Sequence, residues 1–258
     1  MLNRFSALIP ATAIACAAHA QDDDLQKLRD ELLNLDSETP ITLDVPDIGM
    51  FGPIYATKRG VLLLSVNYQH QARYTTQRDG NISAVALFGD PYRSLAFQVN
   101  TVINDLDPLG SRGAVGFRVS KNIKGYTVSA GIQNAYIWGY TDSFRSLSLS
   151  VSKSFPTGRE PGTAGSSVFV NLGVGTGKYR SQADLDRRAR TVGVFGGIGT
   201  NLNRTTYPFL RYNGQDFSVG CTFGIPSAKA YITPAISDIT NRAGVPRFTL
   251  SLGVAFPF

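Results

Sequence analysis

Beyond its first twenty residues the chain has one cysteine, Cys221, and one histidine, His70. A lone cysteine cannot close an intramolecular disulfide, so stability must come from elsewhere. One histidine and one cysteine, with no carboxylate pair at ligand spacing, leave no metal site and no cofactor to expect. No stretch reaches the ~18 consecutive apolar residues that a transmembrane helix needs. Any span across a membrane must then be a closed barrel, because no other arrangement of strands satisfies every backbone group in lipid. Charge is sparse as well: 17% of residues are charged, against about 25% in an average soluble domain.

What is present begins with an export pattern. Arg4, an apolar run over residues 5 to 16 and Ala18-His19-Ala20 before Gln21 predict a cleaved signal over residues 1–20. Cys16 follows Ala13-Ile14-Ala15, a context that can accept a lipid, but cleavage after Ala20 is the reading adopted. Residues 21–56 form an acidic segment. Nine acids and two bases between Gln21 and Asp47 give it a net −7, whereas the chain beyond holds 22 basic and 10 acidic residues. Leu25, Leu28, Leu32 and Leu35 mark the apolar seam of a short periplasmic helix whose start carries Asp22, Asp23 and Asp24. Pro40, Pro46 and Pro53 end it, so that a linker or a lumen-filling strap follows.

Residues 57–258 read differently. About twelve runs alternate apolar and polar or small residues, separated by turn signals. In the last of them Phe248, Leu250, Leu252, Val254, Phe256 and Phe258 alternate with Arg247, Thr249, Ser251, Gly253, Ala255 and Pro257. Another sets Leu147, Leu149 and Val151 against Ser146, Ser148, Ser150 and Ser152, and a serine face suits water. The register of residues 81–88 and 205–213 stays ambiguous. Tyr136, Trp138 and Tyr140 fall at the outer end of one strand, and Phe155, Phe223, Phe256 and Phe258 at inner ends. This is the placement of two interfacial aromatic girdles. The expected fold is all-β: a transmembrane, antiparallel up-and-down barrel of about twelve strands, preceded by the short helix.

The alternating final strand ending in Phe258 resembles the assembly signal of bacterial outer-membrane β-barrel proteins of the porin-like class. The resemblance implies capture of Phe256 and Phe258 by the barrel-assembly machinery and residence in the cell outer membrane, among lipid and lipopolysaccharide. A homo-oligomer is compatible with it.

Enzyme chemistry finds little support. His70 is followed by Gln71-Ala72-Arg73, without the nearby serine that outer-membrane phospholipases place after their histidine, so no catalytic residue is expected. Gly173-Val174-Gly175-Thr176-Gly177-Lys178 lacks the first glycine and the final Ser or Thr of a phosphate-binding loop. Its glycines, with Gly193, Gly197 and Gly199, line the lumen and leave a hollow for passage or for a plug. Arg73, Arg112, Arg118, Arg211, Lys229 and Arg247 point inward against Asp216. A low-dielectric wall focuses such a field on anions. The sequence therefore suggests a narrow passive pore for small hydrophilic, preferably anionic solutes. A closed recognition barrel acting through its outer loops and helix is the alternative, and an outer-membrane enzyme comes third. Lys178, Arg180, Arg187, Arg188 and Arg190, against Asp184 and Asp186, form an outer loop suited to lipopolysaccharide phosphates. Nucleic acid is not an expected partner of an exported barrel, despite pI ≈ 9.4.

Overall fold

The structure, a computed structural model, describes residues 60–73, 77–91, 93–104, 110–139, 145–160, 162–242 and 245–258. The expected signal, acidic helix and linker, and Tyr140, lie outside the described residues.

Twelve strands form one closed antiparallel barrel in which each pairs with its neighbours in sequence and the last returns to the first. They are β1 (Val61–Gln69), β2 (Asp79–Gly89), β3 (Ala96–Ile103), β4 (Gly113–Ile123), β5 (Tyr126–Trp138), β6 (Ser146–Pro156), β7 (Ser167–Gly175), β8 (Gly193–Thr200), β9 (Thr206–Tyr212), β10 (Phe217–Ile225), β11 (Ala230–Ser237) and β12 (Arg247–Pro257). One short helix, α1 (Gln182–Asp186), stands in the connection between β7 and β8. Closure is direct: Val61 lies opposite Pro257, and Gln69 opposite Thr249.

Alternation decides which face meets lipid. Leu64, Val66, Phe97, Phe117, Leu147, Leu149, Leu172, Val194, Phe248 and Leu252 are all exposed on the outside, where a membrane replaces water as their solvent. The two ambiguous runs are settled by their partners. Ser83 pairs with Ser65 and faces inward. Arg211 pairs with lumen-facing Gly197.

An even strand count puts both ends of the barrel sheet, Val61 and Pro257, on one side, the periplasmic side in an outer-membrane barrel. At that inner end the connections 124–125, 201–205 and 226–229 are short, whereas the outer connections 104–112, 176–192 and 238–246 are longer. The outer turn 213–216 is short and the inner connection 157–166 long, against this pattern, and Asn201 holds the latter on a fixed course. This asparagine is buried in the β8–β9 turn and accepts from the Ser167 amide at 3.0 Å. Its Nδ2 donates to the Thr163 carbonyl at 2.8 Å and to the Ser166 hydroxyl at 2.9 Å. Asn201→Leu strands these groups without a partner, at about 1–3 kcal/mol for a buried orphan. Trypsin is then expected to cut after the exposed Arg159 faster than in the parent protein, while the barrel itself stays folded.

Candidate functional site: a lumen in three bands

The inward-facing side chains sort by height. At the inner end they are apolar: Val61, Leu63, Val85, Leu87, Ala96 and Tyr231 are at most 3% exposed, and Leu63, Val85, Leu87 and Tyr231 pack as one cluster. The alternation rule predicts a polar lumen throughout, so this collar is a departure from it. Its signal stands in the sequence as uninterrupted apolar runs, Val61-Leu62-Leu63-Leu64 and Val85-Ala86-Leu87-Phe88, in which both faces are apolar.

The middle band is hydroxyl and amide. Ser65 and Ser83 meet at 2.6 Å, Thr222 and Thr233 at 3.0 Å, and Ser120 and Ser129 at 2.8 Å, each pair directly opposed across two strands. Asn67 donates to Asn81 at 2.6 Å and accepts from the Ser251 hydroxyl at 2.5 Å. Buried polar groups must find partners, and here cross-strand neighbours supply them. On β1, β2, β11 and β12 this wall is packed and almost without exposure. On β6 and β7 it is half-buried, through Ser148, Ser152, Ser154 and Asn171, with Asn171 donating to Ser152 at 2.7 Å. Ser150 lies on the same face and is buried.

The outer band carries the charge. Arg73 and Arg247 both donate to Asp216 Oδ2, at 2.8 and 2.5 Å, and Arg73 also reaches Gln215 at 2.6 Å. Asp216 is held there by the turn 213–216, in which the Asn213 side chain accepts from the amides of Gln215 and Asp216 at 2.9 and 2.8 Å. One carboxylate is thus shared between two guanidiniums. Arg211 is buried nearby on β9, and Arg112 is half-buried just before β4.

Arg118 is placed differently. It lies lower on the inward face of β4, opposite Gly131, which in turn lies opposite Ser148. It is half-buried rather than enclosed, and it borders the more accessible serine wall. Lys229 is the outlier of the expected set. It sits exposed in the inner turn between β10 and β11 at φ 48°, where it ends a single 3₁₀ turn that begins at Pro226. A strand side chain cannot alternate once the chain has left the sheet, so Lys229 has no lumen face.

The glycine hollow is filled by rings. Phe195 lies over Gly173 and Tyr179 over Gly175, each where a Cβ would otherwise stand, and the two rings stack at 4.2 Å. Phe209 covers Gly220 and Tyr231 covers Gly253 in the same manner. These four bare glycines therefore each seat an aromatic ring of the lumen against the wall.

Tyr179 reaches this position because the long outer connection 176–192 turns inward before it turns out. The Lys178 amide donates to the buried Ser146 hydroxyl at 2.9 Å, and the Lys178 carbonyl accepts from Gln215 at 2.8 Å. Gly193 and Gly214 press against the Tyr179 carbonyl so closely that a Cβ at either would collide with it. Arg180 is buried and donates to the carbonyls of Gly177 and Ala189. The rest of the connection stays outside: α1 is capped by Ser181, whose hydroxyl donates to Asp184 at 2.7 Å and holds that carboxyl below its usual range. Arg187, Arg188 and Arg190 are exposed beyond it. The basic loop read as one unit thus divides into an inward hook and an outward helix. Nothing in the alternation of the sequence marks the hook.

Among the described residues no group of three metal-ligating side chains converges. His70 lies exposed just past the outer end of β1, its amide donating to the Phe248 carbonyl at 3.0 Å.

A closed antiparallel barrel of twelve strands, apolar outside and largely polar within, is the architecture of an outer-membrane β-barrel protein. No family model matches the chain, and no curated protein matches it. Among solved structures it is similar to an outer membrane channel from Pseudomonas putida F1, with a TM-score of 0.47 and 10% identity over 83% of this chain and 100% of that one. A likeness of that degree carries no argument about function.

Proposed function

We propose that the barrel is a narrow passive channel of the outer membrane for small hydrophilic solutes, with a preference for anions. The observation that carries this reading is the half-buried serine wall of β6 and β7 with Arg118 beside it. A polar, side-chain-lined path bordered by a guanidinium and walled by lipid-facing strands attracts small anions. The outer arginines Arg73, Arg211 and Arg247 add to the same field, partly offset by Asp216. Twelve strands enclose less space than the 16 to 18 of general porins. The inward hook at Tyr179 narrows the outer mouth further.

The packed wall of β1, β2, β11 and β12 and the apolar inner collar favour a second reading, a closed barrel that acts through its outer loops. Planar-bilayer recording with a potassium chloride gradient separates the two. The channel reading expects a reversal potential of anion-selective sign, and Tyr179→Ala should raise the single-channel conductance by widening the mouth. Conductance that appears only after residues 21–56 are deleted would make that segment a plug. Absence of conductance in both forms overturns the channel.

A further inference from the structure

The membrane-facing surface is not evenly convex. An apolar groove of about 590 Å³ runs across it between β3 and β8, walled by Phe117, Ile132, Leu147, Leu149, Val174 and Val192. Its origin is in β5. Val115 pairs with Tyr136, but Phe117 pairs with Ile132, so two steps along β4 face four along β5. The surplus is a bulge around Asn134, which adopts φ 53°. Such a bulge bends the strand, and the small side chain of Ala130 just below leaves the floor low.

Basic residues flank the outer edge of this groove. Arg145 stands two residues outward from Leu147 and donates to the Ala135 carbonyl of the bulge at 3.0 Å. Arg190 stands two residues before Val192, and Arg187 and Arg188 lie exposed in the same connection. Among the described residues, Arg187 pairs with Asp184 at 3.3 Å. Along the line of β6, the two residues from Leu147 to Arg145 rise about 7 Å, a fitting height for the phosphates of a lipid whose chains fill the groove. Tyr136 and Trp138, stacked at 6.3 Å, mark the same level of the interface.

We infer that the groove is a binding site for lipid A, the phosphorylated and multiply acylated glucosamine lipid of the outer leaflet. Its acyl chains lie against Ile132 and Leu147, and its phosphates lie between Arg145 and Arg190. Apolar volume alone would accept any acyl chain. The basic outer edge selects a lipid with several chains and more than one phosphate. This site is independent of whether the lumen conducts.

Native mass spectrometry of the full protein, released from vesicles containing purified hexa-acylated, bis-phosphorylated lipid A, tests the assignment. Retention of lipid A is expected in the parent protein. It should fall at least tenfold in the double variant Arg145→Glu, Arg190→Glu and, separately, in Ala130→Trp, which fills the groove floor. The heat-shifted gel band of a folded barrel verifies that each variant assembles. Dephosphorylated lipid A should be retained tenfold less than the bis-phosphorylated form. Equal retention in parent and both variants overturns the site, as does displacement of lipid A by an equal concentration of phosphatidylglycerol.

Discussion

Asp216→Ala is expected to destabilise the barrel by about 3–5 kcal/mol, the cost of removing one partner from a buried ion pair. Asp216 is only 2% exposed, and its Oδ2 is the shared acceptor of Arg73 and Arg247. Removing it leaves two guanidiniums facing each other in the outer mouth. Urea unfolding in lipid vesicles, followed by the loss of the heat-shifted gel band, measures the effect. The triple replacement Arg73→Met, Asp216→Leu, Arg247→Met should recover most of the loss, because an apolar cluster of similar volume needs no charge compensation. A single variant as stable as the parent would show that the trio is hydrated and contributes nothing to stability.

The second large effect concerns selectivity. A unit charge ~5 Å from a passing ion is worth about 1–3 kcal/mol between the dielectric of water and that of a protein surface. Arg118→Gln should therefore lower the anion-to-cation permeability ratio roughly 5- to 100-fold, at 1.4 kcal/mol per factor of ten. Arg118→Glu should lower it further and invert the sign of the reversal potential. Both changes should shrink in molar salt, where the Debye length falls to about 3 Å. Arg211→Gln is expected to do less, because Arg211 is buried against its own wall whereas Arg118 borders the accessible one. Equal effects from the two variants would place the ion path elsewhere than along β6 and β7.

The division between Arg118 and Lys229 shows how far a sequence reading reaches into this lumen. Both were expected to point inward. For Arg118 the period of two holds, since β4 runs unbroken through it and its partners Gln98 and Gly131 fix the face. For Lys229 the strand has already ended at Ile225, and a left-handed turn residue has no sheet face. The serine face of β6 was legible because five serines at alternate positions have no other economical reading. The apolar collar was written in plain sight, as unbroken runs in β1 and β2, but a rule that assigns one face to lipid and the other to water discards such runs.

The inward hook was not legible at all. Its contacts join Tyr179 to Phe195, Lys178 to Ser146, and Gln215 to Lys178, which meet because the connection between β7 and β8 turns back against the inside of the sheet rather than through any repeat of the chain. The same holds for Asn201, an ordinary turn asparagine until the loop 157–166 folds over it.

By itself, then, the sequence determined the local and periodic features: an all-β chain, about twelve strands, and which side chains meet lipid. These follow from the two-residue repeat of an extended backbone and from the absence of any apolar run long enough for a helix, and both are properties of near neighbours. Only the tertiary structure decided where the lumen is packed and where it is accessible, which arginines share Asp216, and which glycines receive a ring. Closure of a sheet brings residues more than a hundred positions apart into contact, and no local pattern encodes which of them will meet.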